Sequence, residues 1–285
     1  MSPHDEPLDG GFVEDISKSR KYYEQLSRFH WEYFSELAYQ RSKIYDFLKA
    51  SLRERAKPFE LSKWQRVVKY KYALSPLGTN GSLVDPGGRF NIGEIDPVRY
   101  PVFAALYAAS DKGTALAELL GRTTSGDLTP EEVALTKPDS IAAVSVSGHL
   151  DAVLDIRDES NLAAFVTMIK GFRFSPALTS KASSLGFPLK IIRTVQELTL
   201  VLHAPDWRNW PELYDAPAAT QIFGRIVLDA EVEGILYKSV LTEKPCLAIY
   251  PQKFHNSSSY IELDDPVPPE LKVHRLDSSN CKVTA

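Results

Sequence analysis

A chain of 285 residues, 44% hydrophobic and 25% charged, has the composition of a globular protein that can bury a core without disulfide or metal staples. A formal net charge of −4 and a pI near 5.9 exclude the broad basic field that selects nucleic acid or an anionic membrane. Two cysteines, Cys246 and Cys281, exclude a disulfide framework or a cysteine metal cluster, so a reducing cytoplasm is the expected setting. The start MSPHDEPLDGGF lacks the basic-then-apolar order of a signal peptide, although a secreted effector using another route would read the same. No segment reads as a membrane span.

In chain order, residues 1 to 14 are rich in Pro, Gly and acid and are expected to be loose. From Ile16 to Arg55 no Gly or Pro intervenes, and Tyr22, Leu26, Phe29, Tyr33 and Leu37 recur at helical steps. The pattern predicts one long amphipathic helix, or two broken near Tyr39 to Ser42, with an aromatic stripe packed on the downstream domain. Lys57-Pro58 ends the helical region. Residues 67 to 74, VVKYKYAL, predict a strand by their β-branched and aromatic alternation, and a Gly- and Pro-rich loop follows from Ser75 to Gly88. Phe103 to Ala109 reads as a buried strand or helix start, and Thr114 to Leu120 as a short helix.

Further strands are predicted at 141–146, 152–156, 198–203, 234–240, 247–250 and 271–276. Ser160 to Ile169 predicts a helix with Ser160 as N-cap, and Pro217 to Val227 a helix with the proline in its first turn. Residues 171 to 190 read as loop with a helical turn. Strands mixed with short helices indicate an α+β fold with a mixed sheet rather than a regular doubly wound one. The expected division is a tail and amphipathic helical extension over 1–60, then a single domain over 61–285 with a polar C-terminal tail.

The loop NGSLVDPGGRFNIGE, residues 80 to 94, gathers glycines, a proline and one cation. Glycines allow close backbone approach, and Arg89 in such a loop can clamp a phosphate or carboxylate with two parallel N–H groups, or pair with a nearby acid. Neither GxxxxGK[ST] nor GxGxxG is present. His149 and His203 have no second histidine or carboxylate at metal spacing, so no metal is expected. No GxSxG elbow favours a serine triad. Trp207 and Trp210, in APDWRNWPELYD, read as a packed loop.

Five segments in order then carry a resemblance: Gly87-Gly88-Arg89-Phe90-Asn91, Leu106-Tyr107-Ala108, Ala115-Leu116-Ala117-Glu118, VLDIRDESNL at 153–162, and Gly234-Ile235-Leu236-Tyr237-Lys238-Ser239 followed by Leu247-Ala248-Ile249-Tyr250. Over residues 66 to 251 the chain resembles the RES family, the toxin half of bacterial toxin–antitoxin systems. The resemblance implies a compact mixed-sheet fold similar to ADP-ribosyltransferases, preceded here by an N-terminal helical extension. It implies NAD⁺ as substrate, consumed by hydrolysis, phosphorolysis or ADP-ribosyl transfer. It also implies an antitoxin partner with a helix-turn-helix domain.

Carried over by motif, the pocket residues are Arg89, Tyr107, Glu118 and Ser239. Glu118 would stabilise positive charge on the ribose, Arg89 would hold the pyrophosphate, Tyr107 would stack on nicotinamide, and Ser239 would bond an amide or phosphate. Where the family has an early Arg-Tyr pair, this chain offers Lys69-Tyr70 and Lys71-Tyr72, and spacing does not choose between them. A lysine does not reproduce a guanidinium fork. Arg66 fits less well, since Val67 follows it. With lost catalysis, the same fold would serve as a binding module.

Overall fold

The computed structural model describes residues 10–120, 141–266, 268–271 and 273–281. Its helices are α1 (Gly10–Ser42), α2 (Tyr45–Arg53), α3 (Lys112–Leu120), α4 (Ala163–Ile169), α5 (Pro176–Ser184), α6 (Val195–Leu202), α7 (Asn209–Tyr214) and α8 (Ala219–Asp229). The strands are β1 (Lys57–Lys69), β2 (Leu106–Ala109), β3 (Ile141–Asp155), β4 (Gly234–Lys238), β5 (Pro245–Ile249), β6 (Tyr260–Leu263) and β7 (Arg275–Leu276). Two compact units result: the chain up to Ile44 with Ile169–Ile191, and Tyr45–Met168 with the chain from Ile192 on. No helix among the described residues is long and apolar enough to cross a membrane.

In the first unit the aromatic stripe of α1 meets the segment around α5. Phe29 packs edge-on against Phe187 with ring centroids 5.0 Å apart, and Tyr33 stacks on Phe174 at 5.2 Å. Leu178 and Ala182 of α5 close this small core. Polar groups fix the register: Gln40 exchanges hydrogen bonds with the backbone of Arg173, and the Glu36 carboxylate accepts from Ser175 N at 2.9 Å. Leu26, Phe29 and Tyr33 of the stripe therefore pack against residues 174 to 189.

The second unit is built on a mixed sheet in the order β1-β2-β5-β4-β3-β6-β7, with an added β1–β3 pairing. That pairing closes β1, β2, β5, β4 and β3 into a ring. Closure removes free edges, which an open sheet of this size would have to protect. The long β3 has one edge paired with β1, while its other edge takes β6 at 146–149 and β4 at 153–155. Among the described strands, β3–β4 is the one parallel pair. Leu61, Trp64, Leu106, Ala108, Val146, Leu150, Leu236, Leu247 and Ile249 fill one face as the core. In β2, β4 and β5 the alternate residues therefore point to the opposite face.

Several predicted elements shift, for identifiable reasons. The apolar run 198–203 is not a strand but the end of α6, started by a capping box in which Thr194 Oγ1 accepts from Glu197 N and the Glu197 carboxylate accepts from Thr194 N. The predicted strand 67–74 is the tail of β1, whose last ladder partner is Ile141 opposite Lys69; Tyr70–Tyr72 is a 3₁₀ turn. The two pieces 141–146 and 152–156 are one strand, because the polar stretch between them is satisfied: His149 bridges Glu60 and Asp151.

The helix break falls at 43–44 rather than 39–42, and residues 10–14 belong to α1, while 1–9 of the expected loose tail lie outside the described residues. Asp158 rather than Ser160 caps the 3₁₀ turn ahead of α4, taking Ser160 N at 2.9 Å. Pro217 precedes the α8 cap, Ala218, instead of lying in the first turn. Within 171–190, read as loop with a helical turn, residues 176–184 form the full helix α5 behind a Ser175 cap. β6 was not predicted, and of the strand expected at 271–276 only Arg275–Leu276 is paired, Lys272 lying outside the described residues.

Candidate functional site

The site lies on the face of the β2–β5–β4 ribbon away from the core. Register pairs Tyr107 with Ala248 and Ala248 with Ile235, while Ala109 faces Cys246 and Cys246 faces Tyr237. Small residues in β5 thus sit between two tyrosines on neighbouring strands. Period two carries this face from Ile235 through Tyr237 to Ser239, just beyond β4.

Glu118 reaches this face from α3. Asp111 caps the helix, accepting from Thr114 N at 3.1 Å and from Thr114 Oγ1 at 2.9 Å. Asp111, Thr114 and Glu118 fall on one side of α3 by helical spacing, and that side meets the turn between β4 and β5 at two points. Thr114 Oγ1 lies 3.0 Å from Thr242 Oγ1, and Ser239 Oγ donates to Glu118 Oε1 at 2.6 Å. The Ser239 hydroxyl also accepts from Leu241 N and Thr242 N, and the residue is fully buried. Its single hydrogen is committed to Glu118. Oε2 of the half-buried Glu118 makes no hydrogen bond among the described residues.

Arg89 arrives on a loop held from four sides. Asn91, fully buried, accepts from Gly88 N and Tyr107 Oη at 2.9 Å each, and donates to Ser82 O and Phe103 O. Tyr107 Oη in turn accepts from Phe90 N at 2.9 Å. Gln221 Nε2, from α8, donates to the carbonyls of Pro86, Gly88 and Asn91. Tyr250 Oη donates to Phe90 O at 2.8 Å. Two glycines make the approach feasible: a Cβ on Gly88 would sit 2.4 Å from Tyr107 Oη, and one on Gly224 of α8 only 2.2 Å from Phe90 O.

Arg89 is 8% exposed, and its guanidinium donates through Nη1 to Leu202 O at 3.2 Å and Ala204 O at 2.9 Å, at the C-terminal end of α6. Its Cζ lies 5.8 Å from the centre of the Trp207 ring. Tyr237 is the common neighbour. Its ring meets Phe90 edge-on at 5.0 Å, and burial holds its phenol well above the ordinary tyrosine range, with Cys246, Glu118 and Tyr107 pushing the same way and Arg89 opposing. Burial first, then Glu118, also raises the Cys246 thiol far above its usual range, so Cys246 is no thiolate nucleophile at neutral pH.

Arg89, Tyr107, Glu118 and Ser239 therefore converge around Tyr237. Lys69, Tyr70, Lys71 and Tyr72 do not join them: no hydrogen bond or ion pair links them to those four among the described residues. Lys69 and Tyr70 are exposed, Lys71 Nζ lies 4.8 Å over the Tyr72 ring, and that ring packs against Gly81. Among the described residues no group of three His, Cys, Asp or Glu side chains is placed to hold a metal ion.

Sequence reasoning missed how the site is held: Arg66 was weighed only as a weaker match to the early arginine, and Gln221 not at all. Arg66 is buried and donates to Pro76 O, Gly78 O and Tyr107 O, tying the following loop to β2. Burial lowers its pKa to about 10, which still leaves it charged at neutral pH. Its signal was present: Arg66 occupies an inward position between Trp64 and Val68, where the alternation calls for an apolar residue. Gln221 carried no signal, since its partners lie more than a hundred residues away.

The model of the RES domain matches residues 63–268, and the chain belongs to that family. Among solved structures, a chain of the M. tuberculosis MbcT–MbcA toxin–antitoxin complex is similar at 15% identity and a TM-score of 0.41, over 83% of this chain and 96% of that one. No curated protein matches by sequence.

Proposed function

We propose that this chain is an NAD⁺-consuming enzyme of the toxin type, cleaving the bond between nicotinamide and ribose by hydrolysis or phosphorolysis. The observation that carries the reading is the Glu118–Ser239 pair: a carboxylate with one oxygen fixed at 2.6 Å and the other without a hydrogen bond among the described residues, on the same sheet face as Tyr107 and beside Arg89. In the reaction the C1′–N bond breaks and its electron pair neutralises the pyridinium nitrogen. Positive charge develops on the ribose, and Glu118 stabilises it through Oε2. The oxygen of water or phosphate then forms the new bond to C1′, and in hydrolysis the water proton leaves to a base.

Within this reading Ser239 is a positioning residue, because its hydroxyl is already committed. Arg89 offers Nε and Nη2 to the pyrophosphate while Nη1 anchors it to the end of α6. Tyr107 shapes the nicotinamide end through its ring, its hydroxyl being engaged with Asn91 and Phe90. The RES family also brings to this reading an antitoxin partner, which co-purification from the native host would recover.

Incubating the purified chain with NAD⁺, with and without phosphate, and following nicotinamide release tests the proposal. Wild type is expected to release nicotinamide and Glu118→Gln to lose at least about a hundredfold in rate. Equal release by both would end the enzyme reading. Label from NAD⁺ retained on protein would instead indicate ADP-ribosyl transfer.

A further inference from the structure

Two guanidinium groups, neither ion-paired among the described residues, approach the ring of Trp207. The Cζ of Arg208 is 4.6 Å from the centre of the indole ring, and that of Arg89 is 5.8 Å from the same centre. Neither arginine forms an ion pair with a carboxylate among the described residues. Trp207 is 3% exposed, so the ring that both cations share is removed from water. The Nε of Arg208 is itself buried and has no hydrogen-bond partner among the described residues.

A buried N–H of a charged group without an acceptor is costly, and two like charges at one ring add to the cost. An arrangement of this kind is stabilised when an anion is present. A guanidinium near an aromatic ring keeps its edge N–H groups available, and that edge matches phosphate oxygens two at a time.

We propose that Arg208 and Arg89 form a two-arginine site for a diphosphate, with Trp207 as the shared platform and Arg208 as the second phosphate ligand. This rests on the reading of Arg89 as the pyrophosphate residue and adds to it a partner from the segment between α6 and α7. One guanidinium would meet each phosphate of a dinucleotide, so that both negative charges are matched.

Titration calorimetry with inorganic pyrophosphate and with ADP-ribose tests the site. Arg208→Gln is expected to raise Kd for both by about tenfold or more, the effect of one lost charged hydrogen bond. Nicotinamide riboside, which has no diphosphate, should bind wild type and variant alike. A folded Arg208→Gln with wild-type Kd for pyrophosphate overturns the proposal, whether or not NAD⁺ is consumed. So does failure of wild type to bind either diphosphate.

Arg208-dependent pyrophosphate binding without NAD⁺ turnover would support the site and sink only the enzymatic reading. Should the variant not fold, phenylglyoxal modification of wild type followed by peptide mass spectrometry gives the answer. Pyrophosphate is expected to protect Arg208, and modification of Arg208 at the same rate with and without it overturns the proposal.

Discussion

Ser239 Oγ donates to Glu118 Oε1 at 2.6 Å across 121 residues of sequence, and its own oxygen is held by two backbone N–H groups of the β4–β5 turn. The bond fixes the rotamer of Glu118 from a fully buried position. Ser239→Ala removes it without adding volume. A hydrogen bond to a charged group is worth roughly 1.5–3 kcal/mol, so kcat for nicotinamide release should fall about tenfold to a hundredfold. KM for NAD⁺ should change little, because Ser239 has no group left for the substrate. A rise in KM with kcat unchanged would show that Ser239 binds substrate directly.

Arg66 satisfies three carbonyls, Pro76 O, Gly78 O and Tyr107 O, from an inward position of β1. Arg66→Met keeps the stem and leaves those carbonyls buried without a donor. At about 1–3 kcal/mol for each unsatisfied group, softened by water entry, a net loss of about 3 kcal/mol is expected. For a chain of this size that lowers Tm by roughly 6–12 °C in thermal unfolding. Unchanged Tm would mean the loop finds other donors.

How legible all this was in the sequence depends on the range of the interaction. Period two in LYA and GILYKS places Tyr107, Tyr237 and Ser239 on one face, and helical spacing puts Glu118 on the side of α3 that carries Thr114; both patterns are local. The family motifs then selected among many tyrosines and glutamates. Closure of the ring depends on β1 pairing with both β2 and β3, which no local pattern encodes. The run LTLVLH has strand-like composition, yet the Thr194–Glu197 capping box upstream makes it helix. The cradle of Arg89 comes from Gln221 and Tyr250 of distant elements, and only packing reveals them.

Gly224 is the point where α8 meets that cradle. A Cβ there would fall 2.2 Å from Phe90 O and 2.7 Å from Phe90 C, both backbone atoms that cannot swing aside. In an ordinary helix interior, Gly→Ala stabilises by about 1 kcal/mol. Here Gly224→Ala is expected to destabilise, by roughly 1–3 kcal/mol, because the loop must move off α8. It should also raise KM for NAD⁺ by shifting Arg89. Denaturant unfolding together with steady-state kinetics would read both effects, and a more stable variant would contradict the contact.

His149 links β1 to β3 through Glu60 Oε1 at 2.6 Å and Asp151 Oδ1 at 2.9 Å. The Glu60 hydrogen bond first, and the Asp151 bond next, raise the imidazole above its ordinary value against a smaller opposing effect of burial. A folded pKa above the unfolded one, near 6.5, means that His149 contributes its full stabilisation below about pH 6.5. The contribution is lost as pH rises through the folded value. Asp151 moves the opposite way: bonds from the Ser258 backbone and hydroxyl lower its pKa, so its contribution is present above about pH 4 and fades on acidification. Wild type should therefore lose Tm relative to His149→Gln, whose neutral amide does not titrate, as pH rises from about 6.5 through the raised folded pKa. Parallel Tm profiles for the two proteins across that window would show that the bridge adds nothing to stability.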